Sequence, residues 1–198
     1  MRTGRLETFS DGVIAIIVTI LVLELDTPDE PTLRALADLW PSLAAYLLSF
    51  LYLVTHWGNH HNLFLAGPRM GSAVIWANHA YLFFLSMIPL ATAWADETRF
   101  QSVPLAVYGT VLLAAATAHR ILERAVVAAA PDHAPVERAL LHDWKGTLSL
   151  AAYAVGIALS FVSALAALTV YLGIAAVWAI PDHRLRRAAR EDAATGDR

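Results

Sequence analysis

The side chains of this sequence that could do chemistry are polar residues set inside long apolar runs, and they fall in four places. RLETFSDGVIAIIVTILVLEL, residues 5–25, opens with Arg5, Glu7, Ser10 and Asp11 and then runs apolar to Leu23, with Thr19 as the one hydroxyl. THWGNHHNLF holds His56, Trp57, Asn59, His60 and His61. WANHAYLFFLSMIPLATAW holds Asn78, His79, Pro89 and Thr92, and AHRILERA holds His119, Arg120, Glu123 and Arg124.

The spacings limit the chemistry. His56 and His60 are four apart, so on a helix they share a face. Zinc uses that spacing, but no Glu lies between them, cysteine is absent, and no third ligand is evident. A hydrogen-bonding cluster between helices is the preferred reading, with Ser10 and Asp11 as partners; a buried His can also sense pH. Pro89 removes a backbone donor and predicts a kink, and Thr92 is placed to satisfy a freed carbonyl. Arg120 and Glu123, three apart, read as a solvated helix end. The sequence has no Gly-rich phosphate loop, nucleophile elbow or paired-acid arrangement. It also has no TVGYG-like filter. An enzyme, a metal centre and an organic cofactor are therefore not expected.

The elements that must carry these residues are membrane helices. Of 198 residues, 58% are hydrophobic and 16% charged, against about 25% charged in an ordinary soluble domain; mean hydropathy is +0.53. The net charge of -3, without a basic stripe, gives no reason to expect a nucleic-acid partner. Spanning a bilayer takes about 20 residues. Six segments qualify, at about 5–26, 39–65, 72–96, 103–129, 144–161 and 163–180. The last two come from dividing a run too long for one straight span near Phe161–Ser163. Pro181 stops the last helix, so residues 1–181 form one all-α, six-helix unit and 182–198 a polar tail. Glu7 and Asp11 interrupt what would be a signal-peptide core, so the first helix is read as retained.

Charge orients the unit. With the N-terminus inside, Arg2, Arg5, Arg69, Arg120, Arg124, Arg138, Lys145, Arg184, Arg186, Arg187, Arg190 and Arg198 are inner, and only Arg34 and Arg99 are outer. That bias predicts two cytoplasmic termini. The outer loops are acidic, with Asp26, Asp29, Glu30, Asp38, Asp96 and Glu97. Trp40, Trp94 and Trp144 at helix ends read as interfacial anchors.

A helical projection of the first segment separates two faces. Arg5, Phe9, Gly12, Ile16, Ile20 and Leu23 lie within about 40° of one line at about 100° per residue, with Thr19 on the flank. Ser10 and Asp11 point away from it, towards neighbouring helices. By spacing alone, the apolar stripe is either lipid-facing or core, or the wall of a pore that gates by dewetting.

The pattern R-x-x-x-F-S-D at Arg5, Phe9, Ser10 and Asp11 resembles the signature of the transmembrane protein 175 family, the endosomal and lysosomal potassium channels and their prokaryotic relatives. W-x-x-H-H-x-L-F at Trp57, His60, His61, Leu63 and Phe64 extends the resemblance, as do Asn78, Pro89 and Thr92. It implies a homotetramer of single six-helix units in a prokaryotic plasma membrane, with the first helix of each lining a central pore and no pore-loop filter. It implies a constriction at Ile16, further pore layers at Ile20 and Leu23, and a pore hydroxyl linked to potassium preference at Thr19. Arg5, Phe9, Ser10 and Asp11 then belong to a polar network with Trp57, His60, His61 and Asn78. The permeant ion implied is potassium, with weak selectivity over other monovalent cations. Animal members also conduct protons, so a proton conductor or proton-coupled transporter using Asp11 and the histidine layer is the alternative.

Overall fold

The computed structural model describes residues 3–64, 71–129 and 144–179. Among these, every regular element is a helix: α1 (Thr3–Leu23), α2 (Leu33–Asp38), α3 (Trp40–Phe64), α4 (Ser72–Ser86), α5 (Ile88–Glu97), α6 (Ser102–Ala129), α7 (Trp144–Leu159) and α8 (Ala164–Ala179). Arg2, Arg69, Arg138, the 182–198 tail and the Pro181 stop lie outside the described residues, as does the side chain of Trp144.

Three stretches are long and apolar enough to cross a membrane: Gly4–Leu23, Ser72–Glu97 and Ser102–Ala129. The second is α4 and α5 together. Pro89 cannot donate to the carbonyl four residues back, and the helix breaks at Met87, whose amide turns to Phe84 O at 3.2 Å. The Thr92 hydroxyl donates to Ile88 O at 2.8 Å, so it does not fill the position Pro89 vacates at Leu85, contrary to the expectation from sequence. α3 has 25 residues, ample length, but its inner half carries His56, Asn59, His60, His61 and Asn62. α7 and α8 have 16 residues each, about 24 Å of helix. Between them the chain turns at 160–163, where the Val162 and Ser163 amides both reach Leu159 O. One element was not anticipated: α2, after the TPDEPT loop, starts because the Thr32 hydroxyl accepts from Ala35 N at 3.2 Å.

α6 is the hub of the bundle, packed against α4, α5, α7 and α8, while α1 leans on α3, α4 and α5. Tyr52, Tyr81, Tyr108, Tyr153 and Tyr171 fill the interior. A Cβ at Gly109 or Gly156 would collide with the Tyr171 ring, so these two glycines let α6, α7 and α8 close around it, as small residues do in membrane packing. At the outer end, Thr92 has already given its hydrogen to Ile88 O. Ser49 therefore donates to Thr92 at 2.8 Å and Tyr108 donates to Ser49 at 3.0 Å. This directional chain ties α3, α5 and α6.

Candidate functional site

α1 presents two faces. Leu6, Ser10, Ile14, Ile17 and Leu21 are buried against the bundle. Arg5, Phe9, Gly12, Ile16, Thr19, Ile20 and Leu23 are exposed, Ile16 by 61% and Leu23 by 76%. The exposed face is wider than the projected stripe. It takes in Gly4, Thr8, Ala15 and Val22, and is centred nearer Gly12 and Thr19 than Ile16. The Thr19 hydroxyl donates to Ala15 O at 2.8 Å, so its oxygen lone pairs remain open on that face.

The buried face is locked by polar contacts with clear direction. Asn78 Nδ2 donates to Ser10 Oγ at 2.9 Å, and the Ser10 hydroxyl donates to Leu6 O at 2.8 Å. The Asn78 carbonyl oxygen then faces His60 Nε2 at 2.8 Å, which fixes the hydrogen on that ring nitrogen. Ser10, His60 and Asn78 are fully buried. Two further bonds flank this line: Trp57 Nε1 donates to Asp11 Oδ1 at 2.9 Å, and His61 Nδ1 lies 3.0 Å from Glu7 Oε1. Phe9 packs its ring against His79, with centroids 5.8 Å apart. Seven sequence-selected residues thus meet at one end of the bundle, between α1, α3 and α4: Phe9 beside the layer, and Ser10, Asp11, Trp57, His60, His61 and Asn78 within it. Arg5 is exposed, and the structure brings no partner to it among the described residues. Glu7 was given no partner from sequence; its four-residue offset from Asp11, one turn away, is the signal that could have placed it in the layer.

The fourth polar group departs from the sequence reading. His119 and Glu123 are not a solvated helix end: they are 5% and 7% exposed. Glu123 takes Arg120 Nη1 at 2.8 Å on one oxygen and lies 3.3 Å from His119 Nδ1 on the other. The His119 ring stacks edge-on to His56 and Tyr81. His56 of α3 and Tyr81 of α4 lie against this end of the helix, contacts beyond the reach of local spacing. His56 does not pair with His60 for a metal. Its Nδ1 lies 3.2 Å from the Tyr81 hydroxyl, and no group of three metal-capable side chains occurs among the described residues.

At the outer end, Asp26, Asp29, Glu30 and Asp38 line a depression of about 830 Å³. Arg34 and Arg99 line it too, so the acidic field there is partly offset. Trp40 and Trp94 are exposed near this level, as interfacial anchors would be.

A family model described as the endosomal/lysosomal potassium channel TMEM175 matches residues 5–89. A potassium channel of Chryseobacterium sp. (strain P1-3) is 38% identical over 192 residues, which is 97% of this chain and 100% of that protein. The human endosomal/lysosomal proton channel TMEM175 is 32% identical over 127 residues, covering 56% of this chain and 25% of that protein. In the crystal structure of a lysosomal potassium-selective channel TMEM175 homolog from Chamaesiphon minutus, the fold matches with a TM-score of 0.78 at 32% identity. That match covers 90% of this chain and 96% of the other.

Proposed function

This chain belongs to the TMEM175 family of ion channels, and from that premise we propose that it is a potassium-preferring cation channel, a homotetramer of six-span subunits whose first helices line a central pore. The observation that carries this reading is the division of α1. One face is fixed to the subunit through Ser10, Asp11 and the aliphatic residues between Leu6 and Leu21. The other face, with Ile16, Thr19, Ile20 and Leu23, is exposed among the described residues. Four such faces around an axis make an apolar tube with one hydroxyl per subunit. Ile16 is its constriction, and a ring of aliphatic side chains holds back ions by dewetting. The dense inner arginines set both termini on the cytoplasmic side of a prokaryotic plasma membrane. No resident cofactor is required: potassium is the permeant ion, driven by its own gradient. The outer carboxylates Asp26, Asp29 and Glu30 raise cation concentration at the mouth, tempered by Arg34 and Arg99.

The proton reading has one argument in its favour: the animal relatives are proton channels. The relay through Asp11 and the histidines is weakened by the chemistry of the layer. The step from His60 to Ser10 runs through an Asn amide, and the step to Asp11 runs through an indole N–H. An amide donates from one atom and accepts at another, and an indole only donates, so neither passes a proton on. Proton conduction would then follow the pore.

Bi-ionic reversal potentials on the purified protein in planar bilayers test this. The expected outcome is a potential showing potassium favoured over sodium, with saturation absent. A potential that tracks only the proton gradient would replace this reading with the proton conductor. No flux of any cation would leave a non-conducting scaffold.

A further inference from the structure

Behind the pore helix, at the inner end of the bundle, a second polar centre is left incomplete. His119 Nε2 is buried and has no hydrogen-bond partner. It borders a small cavity of about 20 Å³ lined by His56, Asn59, Arg120, Ser149, Tyr153 and Trp178. A buried polar atom left unpaired is destabilising. A cavity of at least about 10–15 Å³ on this measure, with polar walls, is what one water needs.

The direction of the neighbouring bonds defines what must fill it. His119 Nδ1 faces the Glu123 carboxylate at 3.3 Å, and a ring nitrogen that close to an acceptor carries the hydrogen. In the neutral ring Nε2 is then an acceptor awaiting a donor. The Ser149 hydroxyl on the cavity wall does not supply one. Ser149 gives its hydrogen to Lys145 O at 2.8 Å and accepts the Trp178 indole at 2.7 Å. An anion would meet the lone pair of Nε2, and a metal ion would meet the Arg120 guanidinium on the cavity wall. A water suits both: it donates to the ring and accepts from the guanidinium or the Asn59 amide.

We propose that this cavity is a hydration site, one water per subunit, held by donation to His119 Nε2 and joining α3, α6, α7 and α8 at their inner ends. The site is independent of the pore reading, since none of its residues is on the exposed face of α1. Two of the three buried histidines, His60 and His119, then hold opposite tautomers. His60 carries its hydrogen on Nε2, towards Asn78, and His119 carries its hydrogen on Nδ1, towards Glu123.

Solid-state NMR of full-length protein in bilayers, with ¹⁵N-labelled histidine, reads both points. The expected spectrum has a His119 ring protonated at Nδ1 and a ring-to-water transfer peak at Nε2. His60, protonated at Nε2, serves as the internal reference. His119→Phe should remove the water peak completely; if that variant does not fold, the wild-type spectrum decides alone. A His119 ring protonated at Nε2, or one with no water contact, overturns the proposal. So does a His119 signal that moves when chloride replaces gluconate, which would make the cavity an anion site.

Discussion

The two faces of α1 carry the same kind of aliphatic side chain in different surroundings. Ile14, Ile17 and Leu21 are buried against α3, α4 and α5, while Ile16, Ile20 and Leu23 are uncovered. Ile16 and Ile17 are neighbours in sequence, yet one is 61% exposed and the other 3%. The difference follows from the 3.6-residue repeat: adjacent residues point about 100° apart. It teaches that a helix with one bare face needs the other fixed by packing and polar bonds. The same substitution on each face should therefore report on different properties, stability on one and conduction on the other.

The largest effect is expected at Ile17. Ile17→Ala removes packed atoms from a closed interior, where such truncations cost about 2–5 kcal/mol. The low end applies here, because lipid is as apolar as the core it replaces. Reversible unfolding in mixed micelles should show a loss of about 2 kcal/mol, with single-channel conductance preserved in the fraction that folds. A variant as stable as the parent would mean that α1 is not held by this face.

Next is Asn78→Ala. It leaves the His60 Nε2 hydrogen without an acceptor and Ser10 Oγ without a donor. Hydrogen bonds between membrane helices average about 0.6 kcal/mol, with larger values where a buried group is orphaned. A loss of about 1–2 kcal/mol in the same unfolding assay is expected on that basis. Asn78→Asp, which keeps the acceptor and loses the amide donor, should recover part of it. Equal losses in both variants would show that His60 does not depend on Asn78.

Much of this division was legible in the sequence. The period of the apolar residues separated Ile16 and Leu23 from Ser10 without any knowledge of neighbours. The contacts of Ser10, Asp11, Trp57, His60 and Asn78 followed from polar residues at one depth that must find partners in a bilayer. What was not legible depended on packing between distant segments. Glu123 and His119 look like a solvated helix end until His56 of α3 and Tyr81 of α4 pack against it. Arg5 carries the signature yet gains no partner among the described residues. The width of the exposed face, centred on Gly12 and Thr19, is set by how α1 leans on its neighbours, and period alone cannot fix that angle.

On the exposed face, Ile16→Ala should raise potassium flux into liposomes about tenfold, corresponding to about 1.4 kcal/mol off the barrier, with unfolding unchanged. Ile20→Ala should do less, since Ile20 is the less exposed of the two, at 41%. Equal flux from parent and Ile16→Ala protein would remove Ile16 as the constriction and shift attention to the small-residue line through Gly12 and Ala15.

The smallest effect is expected at Thr19, and it is the finest test of the comparison. The hydroxyl hydrogen is committed to Ala15 O, so what the side chain offers the bare face is an oxygen acceptor. Thr19→Val keeps the shape and removes that oxygen; Thr19→Ser keeps the oxygen and removes a methyl group. If partly dehydrated potassium rests on four such oxygens, Thr19→Val should lower the potassium-to-sodium permeability ratio about twofold, a fraction of a kcal/mol, while Thr19→Ser should hold it. Unfolding should be unchanged in both, because Thr19 is exposed among the described residues. A ratio that falls equally in the two variants would point to the width of the tube rather than to its oxygen. That outcome would make the exposed face a sieve of purely apolar walls.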